Sequence, residues 1–149
     1  AQVIEIPGHT SGHIAFYFES EKAVFTGDTL FVLGCGRLFE GTPEMMWNSL
    51  KKLKSLPDDT KIYCGHEYTL SNAKFLQSVI SNDLINKKIE DLKQLELTKT
   101  PSIPSTIKEE KEHNLFFQSD SDEIKVLLNM KDKSDEETFA YLRNLKDNF

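Results

Sequence analysis

The sequence predicts a layered α/β unit over its first half and a helical segment over its second. Three observations carry this reading. Short apolar runs of strand length crowd the first 65 residues. One helix with a well-marked start lies among them. Beyond residue 68 the apolar residues recur at helical spacing instead.

Val3–Ile6 is the first apolar run, followed by Pro7-Gly8. Ile14–Phe18 is the second. Glu19–Lys22 makes a polar turn into Ala23–Thr26, so this pair reads as a hairpin. Thr42 is a favourable N-cap, and Pro43 suits the first helical position, where its missing N–H is not needed. Met46, Leu50 and Leu53 then repeat along one helix face up to Pro57. Lys61–Cys64 is a further short strand, ending at Gly65. No strand is expected after it. Leu70–Ile80 reads as a helix, and so does Asp83 to near Leu95, with Leu84, Ile85, Ile89 and Leu92 as its stripe. The stretch TPSIPST, residues 100–106, interrupts the chain with two prolines. Thr106 with Glu109, and Ser134 with Glu137, are capping-box signatures. They open a short helix and a C-terminal helix reaching to near Lys146. The expected organisation is an α/β part over residues 1–68 and a helical part over 69–149.

With 149 residues, 38% of them hydrophobic and 28% charged, the chain can bury a core without staples. The net charge of −6 is spread over both halves and argues against a general nucleic-acid or anionic-membrane surface. Cys35 and Cys64 lie in separate segments with no C-x-x-C spacing, and read as free thiols of a reducing compartment. No run approaches the ~18 apolar residues of a membrane span, and no signal-peptide pattern is present. The first residue is not Met and the text starts in a strand, so a piece of something longer is expected.

Three segments carry chemistry. In GHTSGH, residues 8–13, two histidines flank a turn after the first strand. In FTGDTLF, residues 25–31, a strand runs into Gly27-Asp28, and in IYCGHEYT, residues 62–69, one runs into Gly65-His66. Taken singly, each has an ordinary reading: an aspartate capping its own turn, or a structural histidine. Together they deliver His9, Asp28 and His66 to strand ends, each beside a glycine. Strand ends on one side of such a sheet are where α/β sites form. Two imidazoles and a carboxylate suit zinc, iron or manganese. His113 sits in a charged stretch without ligand spacing and reads as surface. No Ser-His-Asp order or G-x-S-x-G supports serine hydrolysis.

PGHTSGHIAFYF, VFTGDTLFVLGCGRLFEGTPEMMWNSLKKLKSLP and YCGHEYT resemble the C-terminal half of the metallo-β-lactamase fold. More closely they resemble glyoxalase II, the hydroxyacylglutathione hydrolases. IPST and RNLKD match that family's helical domain, and the resemblance is weakest over residues 112–133. It implies the second half of an αββα sandwich followed by a helical substrate-binding domain. It implies two divalent metals in the complete protein: zinc, with iron or manganese as alternatives. His9 would be a ligand, Asp28 would bridge the metals, His66 would bind the second, and His13 would play a supporting part. The family's T-H-x-H-x-D-H motif, which supplies four more ligands, is absent from this sequence. The chain alone is therefore expected to be impaired or inactive.

The implied substrate is a glutathione thioester, notably S-lactoylglutathione, cleaved to lactate and glutathione. Arg143 and Lys146, with Asp147, match the family's R-x-x-K-D pattern and would hold the glycine carboxylate. Read as residues alone, they are a solvated helix end placed well against the dipole. Arg37, Leu38 and Phe39 stand where the family has a K-x-Y pattern. Arg37 keeps the cation and Phe39 lacks the tyrosine hydroxyl. His66, Glu67, Tyr68 and Asn72 complete the expected substrate contacts. The resemblance implies a cytoplasmic setting, with a mitochondrial one left open, no nucleic-acid or membrane partner, and no particular oligomeric state. Two alternatives stand. Persulfide dioxygenases of this fold share G-C-G-R and an iron site but usually lack the helical appendage. A non-catalytic glutathione-binding fragment is the other.

Overall fold

A computed structural model describes residues 1–149. Strands β1 (Gln2–Glu5), β2 (Ile14–Phe18) and β3 (Ala23–Gly27) form an antiparallel meander. A small hairpin follows, β4 (Leu30–Phe31) with β5 (Gly34–Cys35). Helix α1 (Pro43–Lys54) then crosses over to β6 (Lys61–Cys64), which pairs parallel to β3. The crossover begins as expected, with the Thr42 hydroxyl accepting from the Met45 N–H at 3.2 Å. The second half holds α2 (Thr69–Val79), α3 (Asp83–Leu97), α4 (Ile107–His113), α5 (Asp122–Leu127) and α6 (Asp135–Asp147). Thr106 and Ser134 cap α4 and α6 by accepting from the N–H groups of Glu109 and Glu137. None of the helices is long and apolar enough to cross a membrane.

One expectation is corrected. A strand does occur in the second half: β7 (Ser105–Thr106) pairs antiparallel to β6 and closes the sheet order as β1-β2-β3-β6-β7. Two polar residues carry no alternation, so only the partner strand makes them a strand.

The two faces of the sheet differ. Ala15, Val24 and Ile62 are fully buried beneath a cluster that includes Trp47, Leu50 and Leu53 of α1 and Phe139 and Leu142 of α6. The Trp47 and Phe139 rings lie 6.3 Å apart, so α1 and α6 share one core. The opposite face carries Val3, Phe16, Phe18 and Phe25, all substantially exposed, with Phe25 stacked on Tyr63 at 5.0 Å.

The hairpin of β4 and β5 is held by polar side chains from the helical half. At its turn Leu33 adopts a positive φ of 63°. Its N–H donates to the buried Glu110 carboxylate at 2.8 Å. Asn72 donates to the Val32 carbonyl at 3.0 Å, and Asn114 to that of Gly34 at 3.1 Å. A backbone turn folded into a core must find such partners.

A candidate metal and substrate cleft

Strands β1, β3 and β6 point the same way, so their C-terminal ends meet at one edge of the sheet. The residues just beyond those ends are His9, Asp28 and His66. The structure brings all three together. His9 Nε2 is 3.6 Å from Asp28 Oδ2, and His66 Nε2 is 3.3 Å from Asp28 Oδ1. The carboxylate thus lies between the imidazoles and turns one oxygen to each.

Backbone economy makes this possible. A Cβ on Gly65 would stand 2.5 Å from Asp28 Oδ1, and one on Gly36 would overlap the Asp28 carbonyl. The edge is pinned by Gly65 N–H donating to the Gly27 carbonyl at 2.8 Å and Gly36 N–H to that of Thr29 at 3.0 Å. The Asp28 N–H donates to His13 Nε2 at 3.2 Å, so His13 supports the turn that carries Asp28. His9 Nδ1 lies 2.8 Å from the Arg37 carbonyl. A carbonyl can only accept, so Nδ1 is the donor and Nε2 is the nitrogen that faces Asp28.

The donor set fits divalent ions. Two ligands each about 2.1 Å from one tetrahedral ion lie roughly 3.4 Å apart. Both imidazole–carboxylate pairs match that separation. The three side chains do not enclose a single point together. Each imidazole–carboxylate pair could therefore offer two donors, and the three side chains together form no closed donor set.

These residues line a cleft of about 350 Å³ with Phe31, Arg37, Phe39, Tyr68, Asn72, Arg143 and Lys146. Larger hollows exist, such as one of about 700 Å³ beside α2 and α3, but no such set of imidazoles and carboxylate converges there. His66 stacks on Tyr68 at 4.8 Å, and His9 meets the edge of the exposed Phe39 at 5.0 Å. Arg37, Arg143 and Lys146 gather around a single acid, Asp147. Burial between the Phe75 and Phe149 rings, and next the charges of Arg143 and Arg37, hold the Lys146 pKa below its ordinary value. The cluster carries more positive charge than its one acid balances.

The other expected contacts are each engaged by the protein itself. Leu38 packs against the core, off the cleft wall. Glu67 accepts from the Ser102 N–H and hydroxyl at 2.6 and 2.7 Å, and burial only partly offsets these bonds, so its pKa stays lowered. Its carboxylate ties the segment after β6 to the loop before β7. Asn72 reaches the cleft but spends its amide on Val32. Arg143 is buried and its N–H groups are directed at protein acceptors. His113 is half-covered at the rim of an apolar hollow between α2 and α5, away from the cleft. Sequence reasoning missed Glu110 and Asn114. One signal for them existed: they lie four apart, on one face of a helix whose start is marked by Thr106.

Comparison with known proteins supplies the relations. Residues 67–149 match the family described as hydroxyacylglutathione hydrolase C-terminus, and residues 1–66 match the metallo-beta-lactamase superfamily, which is named for its metals. The chain is 48% identical over 147 residues to a hydroxyacylglutathione hydrolase of Bradyrhizobium sp. (strain ORS 278), covering 98% of this chain and 58% of that one. It is 51% identical over 150 residues to one from Pelagibacter ubique (strain HTCC1062), covering 100% and 57%. Among solved structures, ETHE1 from Myxococcus xanthus superposes with a TM-score of 0.57 at 28% identity, over 97% of this chain and 45% of that one. The chain thus spans somewhat more than half the length of its curated relatives, and its fold is a C-terminal half of the metallo-β-lactamase type followed by helices.

Proposed function

The chain belongs to the hydroxyacylglutathione hydrolase family, and on that premise we propose that the complete protein hydrolyses glutathione thioesters at this cleft. S-lactoylglutathione is the proposed substrate, yielding lactate and glutathione. The observation that carries the reading is Asp28 held between His9 and His66 beside a surplus of cations in one cleft.

His9, Asp28 and His66 would hold two divalent ions; zinc is the proposed metal, and the same nitrogen and oxygen donors also suit iron or manganese. Bound there, the ions supply an activated water and a counter-charge for the developing oxyanion. The residues of this chain do the rest. The Arg37 carbonyl keeps the His9 proton on Nδ1 and so keeps Nε2 free. Arg37, more than half exposed, and Lys146 receive the carboxylates of glutathione. Tyr68 and Phe39 offer aromatic walls at the mouth. Hydrolysis breaks the bond between the acyl carbon and sulfur. The oxygen of water goes to the acyl carbon and glutathione leaves as a thiolate. With a reference thiol pKa of about 8.5, that leaving group needs no strong acid beside it.

The test is hydrolysis of S-lactoylglutathione by the complete, zinc-loaded protein, with Asp28→Ala beside it. The wild type should turn over at a rate ordinary for enzymes, about 10 s⁻¹, and the variant should lose both zinc and activity. Absence of turnover in a protein that retains two zinc ions would overturn the proposal.

A further inference from the structure

We propose that Glu110 and Asn114, which stand outside the cleft, are positioning residues for it, acting through the β4–β5 hairpin on Phe31 and through Phe31 on the His66–Tyr68 pair. The inference rests on the reading above, that thioester hydrolysis takes place in this cleft.

The hairpin is held by side chains and not by the main sheet. Its two strands pair with each other and join no third strand. At its turn, residues 31–34 each engage a side chain of the helical half. Asn114 Nδ2 donates to the Gly34 carbonyl at 3.1 Å and, more loosely, to that of Phe31 at 3.5 Å. Glu110 Oε1 accepts from the Leu33 N–H at 2.8 Å, and Asn72 serves the Val32 carbonyl at 3.0 Å. The grip is itself braced. Asn114 Nδ2 also donates to Glu110 Oε1 at 3.0 Å, and its Oδ1 accepts from the Phe116 N–H at 3.0 Å, which settles the way the amide faces. The Ser105 hydroxyl donates to Glu110 Oε2 at 2.6 Å. Glu110, Asn114 and Ser105 are all buried, and a buried network with its members satisfied specifies one geometry. The turn needs that help, because Leu33 sits at a φ of 63°, a backbone region leucine seldom adopts.

The other end of the hairpin reaches the cleft. Phe31 lies on the cleft wall, with its ring 5.0 Å from Tyr68 and 6.1 Å from His66. Those two rings stack on each other at 4.8 Å. Phe31 therefore backs the pair that carries a metal-ligand imidazole, and a shift of the hairpin moves that backing. A misplacement of about 1 Å, caused far from the chemistry, can cost about 100-fold in rate.

The experiment uses the complete protein and compares Asn114→Ser, Glu110→Ala and Glu110→Gln, with Phe31→Leu as the partner in a double-mutant cycle. Serine can still accept from the Phe116 N–H but is too short to serve the hairpin. Glutamine can still accept from Leu33. Two readouts are taken well below each melting temperature: kcat and KM for S-lactoylglutathione, and the nuclear Overhauser effect between the Phe31 and Tyr68 rings. Asn114→Ser and Glu110→Ala should each lower kcat about tenfold or more, change KM less, and weaken the ring contact. Glu110→Gln should stay within about twofold of wild type on both constants. Phe31→Leu should lower kcat by itself, and adding Asn114→Ser to it should cost little more, because the two act along one path.

The proposal is overturned if Asn114→Ser and Glu110→Ala melt lower yet, while folded, keep the wild-type kcat and ring contact. It is equally overturned if the losses from Asn114→Ser and Phe31→Leu multiply, which would mean separate routes. If neither Asn114→Ser nor Glu110→Ala folds, Ser105→Ala, which releases one oxygen of Glu110, should lower kcat and weaken the ring contact to a smaller degree; no change in either would overturn the proposal. If the wild type hydrolyses no thioester, the proposed activity fails, while the ring contact still decides the role of Glu110 and Asn114.

Discussion

Asp28 is closely approached on its Oδ1 side. Its Oδ1 is met by His66 and would be met by any side chain at Gly65. Gly65→Ala in the complete protein should push the carboxylate aside and weaken zinc binding about tenfold, with the far-ultraviolet spectrum unchanged. Unaltered affinity would mean that Asp28 has a second resting place. Lys146 offers a pH test. Its pKa is lowered by desolvation and by the Arg143 and Arg37 charges, so it gives up its proton earlier than an ordinary lysine as pH rises. KM for the anionic thioester should then climb before the usual lysine range near about 10.4, with kcat moving less. Lys146→Met should abolish that limb. A wild-type KM that stays level across the range would remove Lys146 from carboxylate binding.

Between elements, the hairpin of β4 and β5 rests on α4 through Glu110, whose carboxylate also accepts from Ser105 and Asn114. Burial raises its pKa and outweighs the hydrogen bonds that lower it. A raised native pKa means that the folded state binds the proton more tightly than the unfolded one. The resulting stabilisation is full below the unfolded value and is lost as pH rises through the native value. Glu110→Gln can accept from Leu33 and donate to Ser105 without titrating. Its melting temperature relative to wild type should therefore rise as pH climbs above the ordinary glutamate range; a constant offset would contradict this. The same elements mark what the sequence makes legible. Longer strands and helices announce themselves by apolar spacing and caps, and glycine-flanked strand ends locate His9, Asp28 and His66. β7 is two polar residues long and α5 only six residues within a charged stretch, so tertiary contacts decide both. The directions of Glu67 and Asn72 depend on which loop packs beside them, which no local pattern encodes. Arg143 is different. Phe139, Leu142, Arg143 and Lys146 fall at helical spacing on one face, so its burial was written in the periodicity.

For the molecule as a whole, the uncovered aromatic face is the dominant surface feature. Val3, Phe16, Phe18, Phe25 and Tyr63 adjoin across four paired strands, whereas monomers seldom leave such contiguous patches open. The 149-residue chain on its own should bind a hydrophobic dye, and Phe16→Lys should reduce that signal. With only His9, Asp28 and His66 as candidate donors, it should also hold zinc weakly and hydrolyse S-lactoylglutathione far more slowly than the complete protein. Comparable rates would show that this chain needs no further donors. Trp47, meanwhile, is the single tryptophan of the chain, 1% exposed, with its Nε1 unpartnered and Phe139 of α6 against its ring. It is therefore a built-in optical gauge of whether the last helix is seated. In a denaturant titration its emission should shift red in the same step that erases the far-ultraviolet signal, because α1 and α6 bury into one core. A red shift that runs ahead of that step would reveal the C-terminal helix peeling away first, and with it the Arg143 bonds to the Cys35 and Gly36 carbonyls.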